Sequence, residues 1–269
     1  MLLHDSKAVC DLVAHAVLKR VKLLESKYSF FNQTSFLNQI NNRQSNKIKL
    51  DSESYAILQE TFKLMGATNF VFDIAYSGTL KNCYTYKTID EMLSEIGKLA
   101  QFASSSQFLL KNRQIIFSNP YTKIDLGGII KEYAVDESAK IIQKHKIKSA
   151  LINFGGDIKT IGLKNGQKWK IGIKNPIKPE DDICVLEIEE CAITTSGHYE
   201  KSYKIEDRSF SYILQKSGLE SSYVQVSVIH EKAMTAGVFS TSLLIDEKTK
   251  LIQGMSLYIV DKNLKHDLV

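Results

Sequence analysis

Residues 125–136 read Asp125-Leu126-Gly127-Gly128-Ile129-Ile130-Lys131-Glu132-Tyr133-Ala134-Val135-Asp136, and the rest of the chain is best read outward from them. An extended-looking segment at 114–117 comes before, and a helical pattern follows. Gly127 and Gly128 carry no Cβ, so the backbone there can approach a ligand closely. The helix that opens behind them offers unpaired N–H groups, an arrangement that suits an anion. Asp125 suits a sugar hydroxyl or a metal, and Lys131 suits a phosphate. The same residues also satisfy a tight strand-to-helix turn with an ordinary acid at its start, because Gly-Gly pairs are common turn formers.

Two further stretches bear on that choice. Residues 150–158, Ala-Leu-Ile-Asn-Phe-Gly-Gly-Asp-Ile, look like a buried strand that stops at Gly155-Gly156-Asp157. Residues 194–200 read Thr194-Thr195-Ser196-Gly197-His198-Tyr199-Glu200. In this order the three stretches resemble the ApbE family, the FAD:protein FMN transferases. That family's pattern is Asp-Leu-Gly-Gly-Ile-Ala-Lys-Gly-Tyr-Ala, a strand ending Gly-Gly-Asp, then Thr-Ser-Gly-x-Tyr-Glu. Tyr28-Ser29-Phe30-Phe31 followed by Ser35 and Asn41 is similar to its Phe-Ser-x-Tyr…Ser…Asn, and Phe72-Asp73 to its Phe-Asp-Pro-Thr. Trp169-Lys-Ile-Gly-Ile-Lys-Asn-Pro176 is similar to its Trp-x-x-Gly-Ile-x-x-Pro. The likeness runs from about residue 28 to 244.

The resemblance implies an α+β, T-fold-like architecture of helices and mostly antiparallel sheet, with residues 1–269 forming one domain. It implies FAD as substrate and magnesium as cofactor: FMN passes to a Thr or Ser hydroxyl of an acceptor flavoprotein carrying Asp-x-x-Thr/Ser-Gly-Ala, and AMP leaves. Carried over by position, Phe31, the turn Val71, Phe72 and Asp73, Asp125, Lys131 and Ile213 would face FAD. The carbonyls of Gly128 and Ser240 and the Thr241 hydroxyl would face the metal. Asp73-Ile-Ala-Tyr-Ser77-Gly78-Thr79 is similar to an acceptor sequence but one residue too long, which argues against self-flavinylation.

Several positions depart from the pattern. Ser211-Tyr-Ile-Leu-Gln-Lys-Ser-Gly218 stands where the family has His-Ile-Ile-Asp-Pro-Arg-Thr-Gly. Gly237 stands where it has an aspartate that binds magnesium, and Glu132 where it has a glycine. Its Met-Gly-Thr opening strand has no counterpart after Met1. Loss of an anionic ligand implies a weakened metal site, with Asp125 and Asp207 as the carboxylates to replace it. No catalytic group is fixed. His198 inside the Thr-Ser-Gly motif and His230 before the last helix are the candidates to carry the proton of the lost family histidine. The alternative to a transferase is an FAD-binding module that keeps the fold without turnover.

The composition is that of an ordinary globular protein: 269 residues, 43% hydrophobic, 24% charged and a net charge of +5. The lysines are scattered, without the dense basic stripe of a nucleic-acid binder, and none is expected as partner. Cys10, Cys83, Cys184 and Cys191 lack the spacing of a zinc site and are expected as reduced thiols. Charges at His4, Asp5, Lys7 and Asp11 break any signal-peptide core, and Val9 before Cys10 does not make a lipobox. The expectation is a cytoplasmic protein without a transmembrane segment, exported or anchored if residues precede Met1.

The patterning predicts a helix over 6–27 with Val9, Leu12, Val13, Val17, Val21 and Leu24 inward, a second capped by Asp51 and reaching Leu64, and a third from the capping box Thr88-Ile-Asp-Glu91 to about 100. A hairpin is predicted at 107–117. A helix then buries Ile130, Tyr133, Ala134 and Ile141 and ends near 146. Strands follow at 149–154, 157–162, 168–174, 183–188, 191–195 and 223–230, then a helix over 233–246 and a strand at 256–260. Helices and strands do not alternate as βαβ units, which favours α+β.

Overall fold

The computed structural model describes residues 1–178, 180–199, 202–216 and 218–268. Its helices are α1 (Lys7–Tyr28), α2 (Phe36–Asn41), α3 (Ser52–Ala67), α4 (Ile74–Leu80), α5 (Ile89–Leu99), α6 (Ile130–Lys144) and α7 (Ala233–Ile245). The strands of the first half are β1 (Leu2–Leu3), β2 (Lys47–Lys49), β3 (Phe108–Lys111) and β4 (Gln114–Phe117). Then come β5 (Ser149–Phe154), β6 (Asp157–Ile161), β7 (Trp169–Lys174), β8 (Asp182–Ile188), β9 (Ala192–Gly197), β10 (Ser202–Ile205), β11 (Arg208–Ser211), β12 (Tyr223–His230), β13 (Ser256–Asp261) and β14 (His266–Leu268). The fold is α+β with antiparallel pairing in every sheet described.

The predicted caps form. Asp51 Oδ1 accepts from Ser54 N at 3.0 Å, and Thr88 and Glu91 make both bonds of a capping box. The central sheet has seven strands in the order β1-β5-β6-β9-β12-β13-β14. Successive residues point to opposite faces, as a strand requires. On β5, Ala150 and Ile152 pack toward α6 and α1, while Leu151 between them packs toward the β7–β8 ribbon. That ribbon covers the second face with Trp169, Ile171 and Ile173, and leaves the intervening Lys170, Gly172 and Lys174 exposed. α6 and α7 lie on the first face, with α1 outside α6. Among the described residues no helix is long and apolar enough to cross a membrane.

Some expectations are corrected. Leu12 is 60% exposed because it lies about 100° around the helix from buried Val13, outside the packed stripe. On α6 the sealed stripe is Val135, Ala139 and Ile142, whereas Ile130, Tyr133 and Ile141 are half-buried. The short helices α2 and α4 and the β10–β11 hairpin have no counterpart in the sequence pattern. α4, Ile-Ala-Tyr-Ser-Gly-Thr-Leu, has weak intrinsic propensity. It is held by its cap and by direct packing of Gly78 on the backbone of Ile124 and Asp125, where a Cβ would overlap main-chain atoms. The chain opens with a two-residue strand, Leu2 opposite Ala150 and Leu3 opposite Ser149.

Candidate functional site

The loop at Asp125, the start of α4, the first turn of α6, the end of β9 and the last turns of α7 enclose a cavity of about 240 Å³. A second lobe of about 370 Å³ opens beside it under the end of α1, lined by Tyr28, Phe30 and Phe31. Lys81, Asp125, Gly127, Lys131 and Tyr212 border both.

The floor of the cleft is held by polar side chains with fixed partners. Asn41 clamps the backbone of Ile124: its amide donates to the Ile124 carbonyl at 2.9 Å, and its Oδ1 accepts from Ile124 N at 2.8 Å. Ser35 caps α2, accepting from Asn38 N at 3.1 Å. Asp73 caps α4 through Oδ1, which accepts from Ala75 N at 2.9 Å and Tyr76 N at 3.3 Å. Its Oδ2 accepts from Ser105 N at 3.1 Å and meets Lys216 Nζ at 3.4 Å. Both Asp73 oxygens are therefore engaged in holding the turn. Burial pulls the Lys216 ammonium below its ordinary range, with Asp73 opposing.

Asp125 is fixed in the same way. Its Oδ1 accepts from Gly127 N at 3.0 Å, and Oδ2 forms a 2.6 Å ion pair with Lys81 in which the side chains are only 8% and 6% exposed. Lys81 also donates to the Tyr212 hydroxyl at 2.5 Å and lies within 4.8 Å of the ring centres of Phe30 and Phe31. Burial alone would lower the Lys81 pKa, but Asp125 and Tyr212 outweigh it and raise it above the ordinary lysine value.

α7 is apolar around its whole circumference, and Thr241 is its one residue not classed as buried. Thr241 lines the cavity, and its hydroxyl lies 3.1 Å from Ser196 Oγ. Ser240 is sealed behind the wall, its hydroxyl donating to the Gly237 carbonyl at 3.1 Å. The start of α7 rests on Asp136, which accepts from Ala233 N and Met234 N at 3.1 Å each. α6 begins without a side-chain cap; Ile130 N donates to the Leu126 carbonyl at 2.9 Å, and the positive end of the helix lies beside the cavity. Gly128 lies where a Cβ would press on the Phe72 ring at 3.1 Å. Lys131 Nζ forms a 2.6 Å ion pair with buried Asp157. Glu132 is 6% exposed; no N–H or hydroxyl donor reaches its Oε2, and its carboxyl lies against that of Asp157. Burial first, and then the Asp157 charge, raise the Glu132 carboxyl well above its usual range.

Of the positions singled out in the sequence, Val71, Phe72, Asp73, Asp125, Gly128, Lys131, Ile213 and Thr241 line one cavity. Phe31 lines the second lobe and is 71% exposed. Neither His198 nor His230 lines either lobe. His198 Nδ1 lies 3.0 Å from Ser211 Oγ, and burial lowers its pKa, with the Leu244 carbonyl opposing. His230 pairs with Ala192 at the far end of β9 from cavity-lining Gly197, five residues or roughly 16 Å away. Its ring accepts from Lys232 N at 3.0 Å. Asp207 is exposed in the turn between β10 and β11, and Glu200 and Ser217 lie outside the described residues. No sequence spacing links Lys81 and Tyr212 to the site: Lys81 meets Asp125 from 44 positions before it, and Tyr212 meets Lys81 across 131 positions.

The ApbE family model matches residues 3–258. An FAD:protein FMN transferase of Escherichia coli is 27% identical over 169 residues, 59% of this chain and 46% of that protein. The chain's match thus spans about half of that relative's length. An FAD:protein FMN transferase of Vibrio cholerae is 23% identical over 238 residues, 83% of this chain and 71% of that protein. Among solved structures, the ApbE protein of Thermotoga maritima superposes with a TM-score of 0.85 at 25% identity, covering 96% of this chain and 88% of that one.

Proposed function

The chain belongs to the ApbE family, and from that premise we propose that residues 1–269 act as one domain that transfers FMN from FAD to a Thr or Ser hydroxyl of an acceptor flavoprotein, with AMP leaving. The observation that carries this reading is the convergence of the Asp125 loop, Lys131, the uncapped start of α6 and Thr241 on one cavity. The helix start supplies positive potential for a pyrophosphate, and Lys131, 44% exposed and ion-paired with Asp157, lies beside it as a donor. The second lobe presents Tyr28, Phe30 and Phe31, apolar faces that suit one of the flat rings of FAD. Asp125, neutralised by Lys81, sits between the lobes as a hydrogen-bond acceptor without adding net negative charge beside the phosphates.

The oxygen chemistry of the wall fits magnesium. Glu132, with its buried carboxylate, and Thr241, with its hydroxyl, line the same cavity. Gly128 lines the same wall, and its carbonyl would be a further oxygen there. Among the described residues no three acidic, His or Cys side chains converge, but magnesium is commonly held by one or two carboxylates together with substrate phosphates. When bound there it would neutralise charge on the pyrophosphate oxygens.

The test is FAD turnover with an acceptor domain carrying Asp-x-x-Thr-Gly-Ala, with and without magnesium, read by chromatography and intact mass. AMP release with an FMN-sized gain on the acceptor is the expected result. A second reading, a flavin-binding module without turnover, is favoured by the absence of a histidine from the cleft lining among the described residues. Intact FAD alongside fluorescence-detected binding would select it and overturn the transferase.

A further inference from the structure

Glu132 and Gly237 face each other where α6 crosses α7. A Cβ on Gly237 would stand 2.6 Å from Glu132 Cγ and 3.2 Å from its Oε1. The Glu132 side chain therefore fills the volume that any side chain at 237 would need. A glycine in the middle of a buried helix is unfavourable for the helix, and a carboxylate buried beside a second one, Asp157, is unfavourable for the core. Each oddity accounts for part of the other, since the glycine clears the path by which a carboxylate anchored on α6 reaches the face of α7. Thr241 stands one turn beyond Gly237 on the same face of α7 and opens to the same cavity as Glu132.

We propose that Glu132 is the anionic ligand of a divalent, oxygen-seeking cation in this cavity, with the Thr241 hydroxyl beside it, and that it supplies from α6 the charge that α7 does not carry. Its neighbour Lys131 forms an ion pair with Asp157 at 2.6 Å. The cation's remaining positions are left to water and to an anionic ligand, and on that last point the inference rests on the pyrophosphate reading above.

The experiment is a Mn²⁺ titration of the full chain followed by electron paramagnetic resonance, with Mn²⁺ alone and with FAD present. The wild type, Glu132→Gln, Glu132→Gly and the exchanged variant Glu132→Gly/Gly237→Asp are compared, each checked for folding by circular dichroism. Glu132→Gln and Glu132→Gly are expected to weaken Mn²⁺ by about tenfold or more, since even outer-shell changes cost that much. The exchanged variant is expected to recover most of the loss. Wild-type affinity in Glu132→Gln would overturn the assignment and leave Glu132 a structural group beside Asp157. So would a wild type that binds no Mn²⁺ under either condition, or an exchanged variant that folds and binds no better than Glu132→Gly. If the exchanged variant does not fold, Glu132→Gln decides alone. FMN transfer is scored separately, so a wild type that binds Mn²⁺ through Glu132 and transfers nothing refutes the transferase reading only.

Discussion

Replacing Lys81 with methionine would remove one partner of the ion pair that fixes the Asp125 loop. Methionine has a similar reach and keeps contact with the surrounding rings of Phe30, Phe31 and Tyr212, so packing changes little. The charge changes a great deal. With the side chains 6% and 8% exposed and 2.6 Å between Nζ and Oδ2, Lys81→Met strands a carboxylate in a dry wall. Removing one member of such a pair costs about 3–5 kcal/mol. Asp125 keeps its bond from Gly127 N at 3.0 Å, which argues for the lower end, about 3 kcal/mol. Lys81→Met/Asp125→Asn removes the stranded charge and should win back much of that loss. Urea unfolding at neutral pH measures the three proteins, with the expected order wild type, double variant, single variant. FAD affinity, read by flavin fluorescence, should fall in Lys81→Met because an uncompensated anion then faces the phosphates. A single variant within about 0.5 kcal/mol of wild type, the range of ordinary surface changes, would refute the reasoning. A double variant no better than the single would show that charge is not the cause.

Two further perturbations test how the site is supported. Asp136→Ala removes the carboxylate that caps α7 and pairs with Lys159 at 2.7 Å. With the loss of a cap and a partly buried Lys159 left behind, it should cost about 3 kcal/mol in the same assay; Asp136→Asn should cost less, and equal losses would mean that the charge is irrelevant. Asp51 sets a pH dependence. Burial works against its ionisation, but Ser54 and Lys27 prevail and hold it at about 2, below its ordinary 3.8. Its folded pKa is depressed, so its stabilisation is present above 3.8 and disappears as the pH falls through about 2. Asp51→Asn, which can still cap α3, should flatten that acid limb of a melting-temperature profile by a small, salt-sensitive amount, because the side chain is 46% exposed. An unchanged acid limb would count against this assignment.

The fold was legible wherever local chemistry agreed with tertiary structure. Thr88 and Glu91 announce α5 through a capping box, and Asp51 announces α3. The alternation of β7 is visible in Trp169-Lys-Ile-Gly-Ile-Lys. α4 was not legible because its stability comes from outside itself: Asp73 and Ser105 at one end, and the close approach of Gly78 to Ile124 along its side. The β10–β11 hairpin was hidden for a similar reason. Its packing partners are Leu80, Cys83 and Met92, more than a hundred residues earlier in the chain.

The site was legible in its backbone and much less so in its charges. Gly127, Gly128 and the start of α6 could be read from one stretch because a loop and the helix behind it are contiguous in sequence. Charges compensate across space. Position by position, Glu132 and Gly237 look like two unrelated departures, one adding a carboxylate to a helix start and one removing a side chain from another helix. In the structure the side chain at 132 occupies the room left at 237, so the two positions describe one volume. Lys81 and Asp125 make the same point: an acid read as a bare ligand for sugar or metal is half of an ion pair whose other half lies 44 residues away. Asp73, read as a flavin contact, spends both oxygens on the backbone and on Lys216. A carboxylate acts where its oxygens are, and those lie several ångströms from the Cα that a sequence comparison aligns. The net charge facing a ligand in this cleft therefore has to be counted from pairs across α4, α6, α7 and the Asp125 loop, and any variant that alters one member should be judged by what it leaves unpaired.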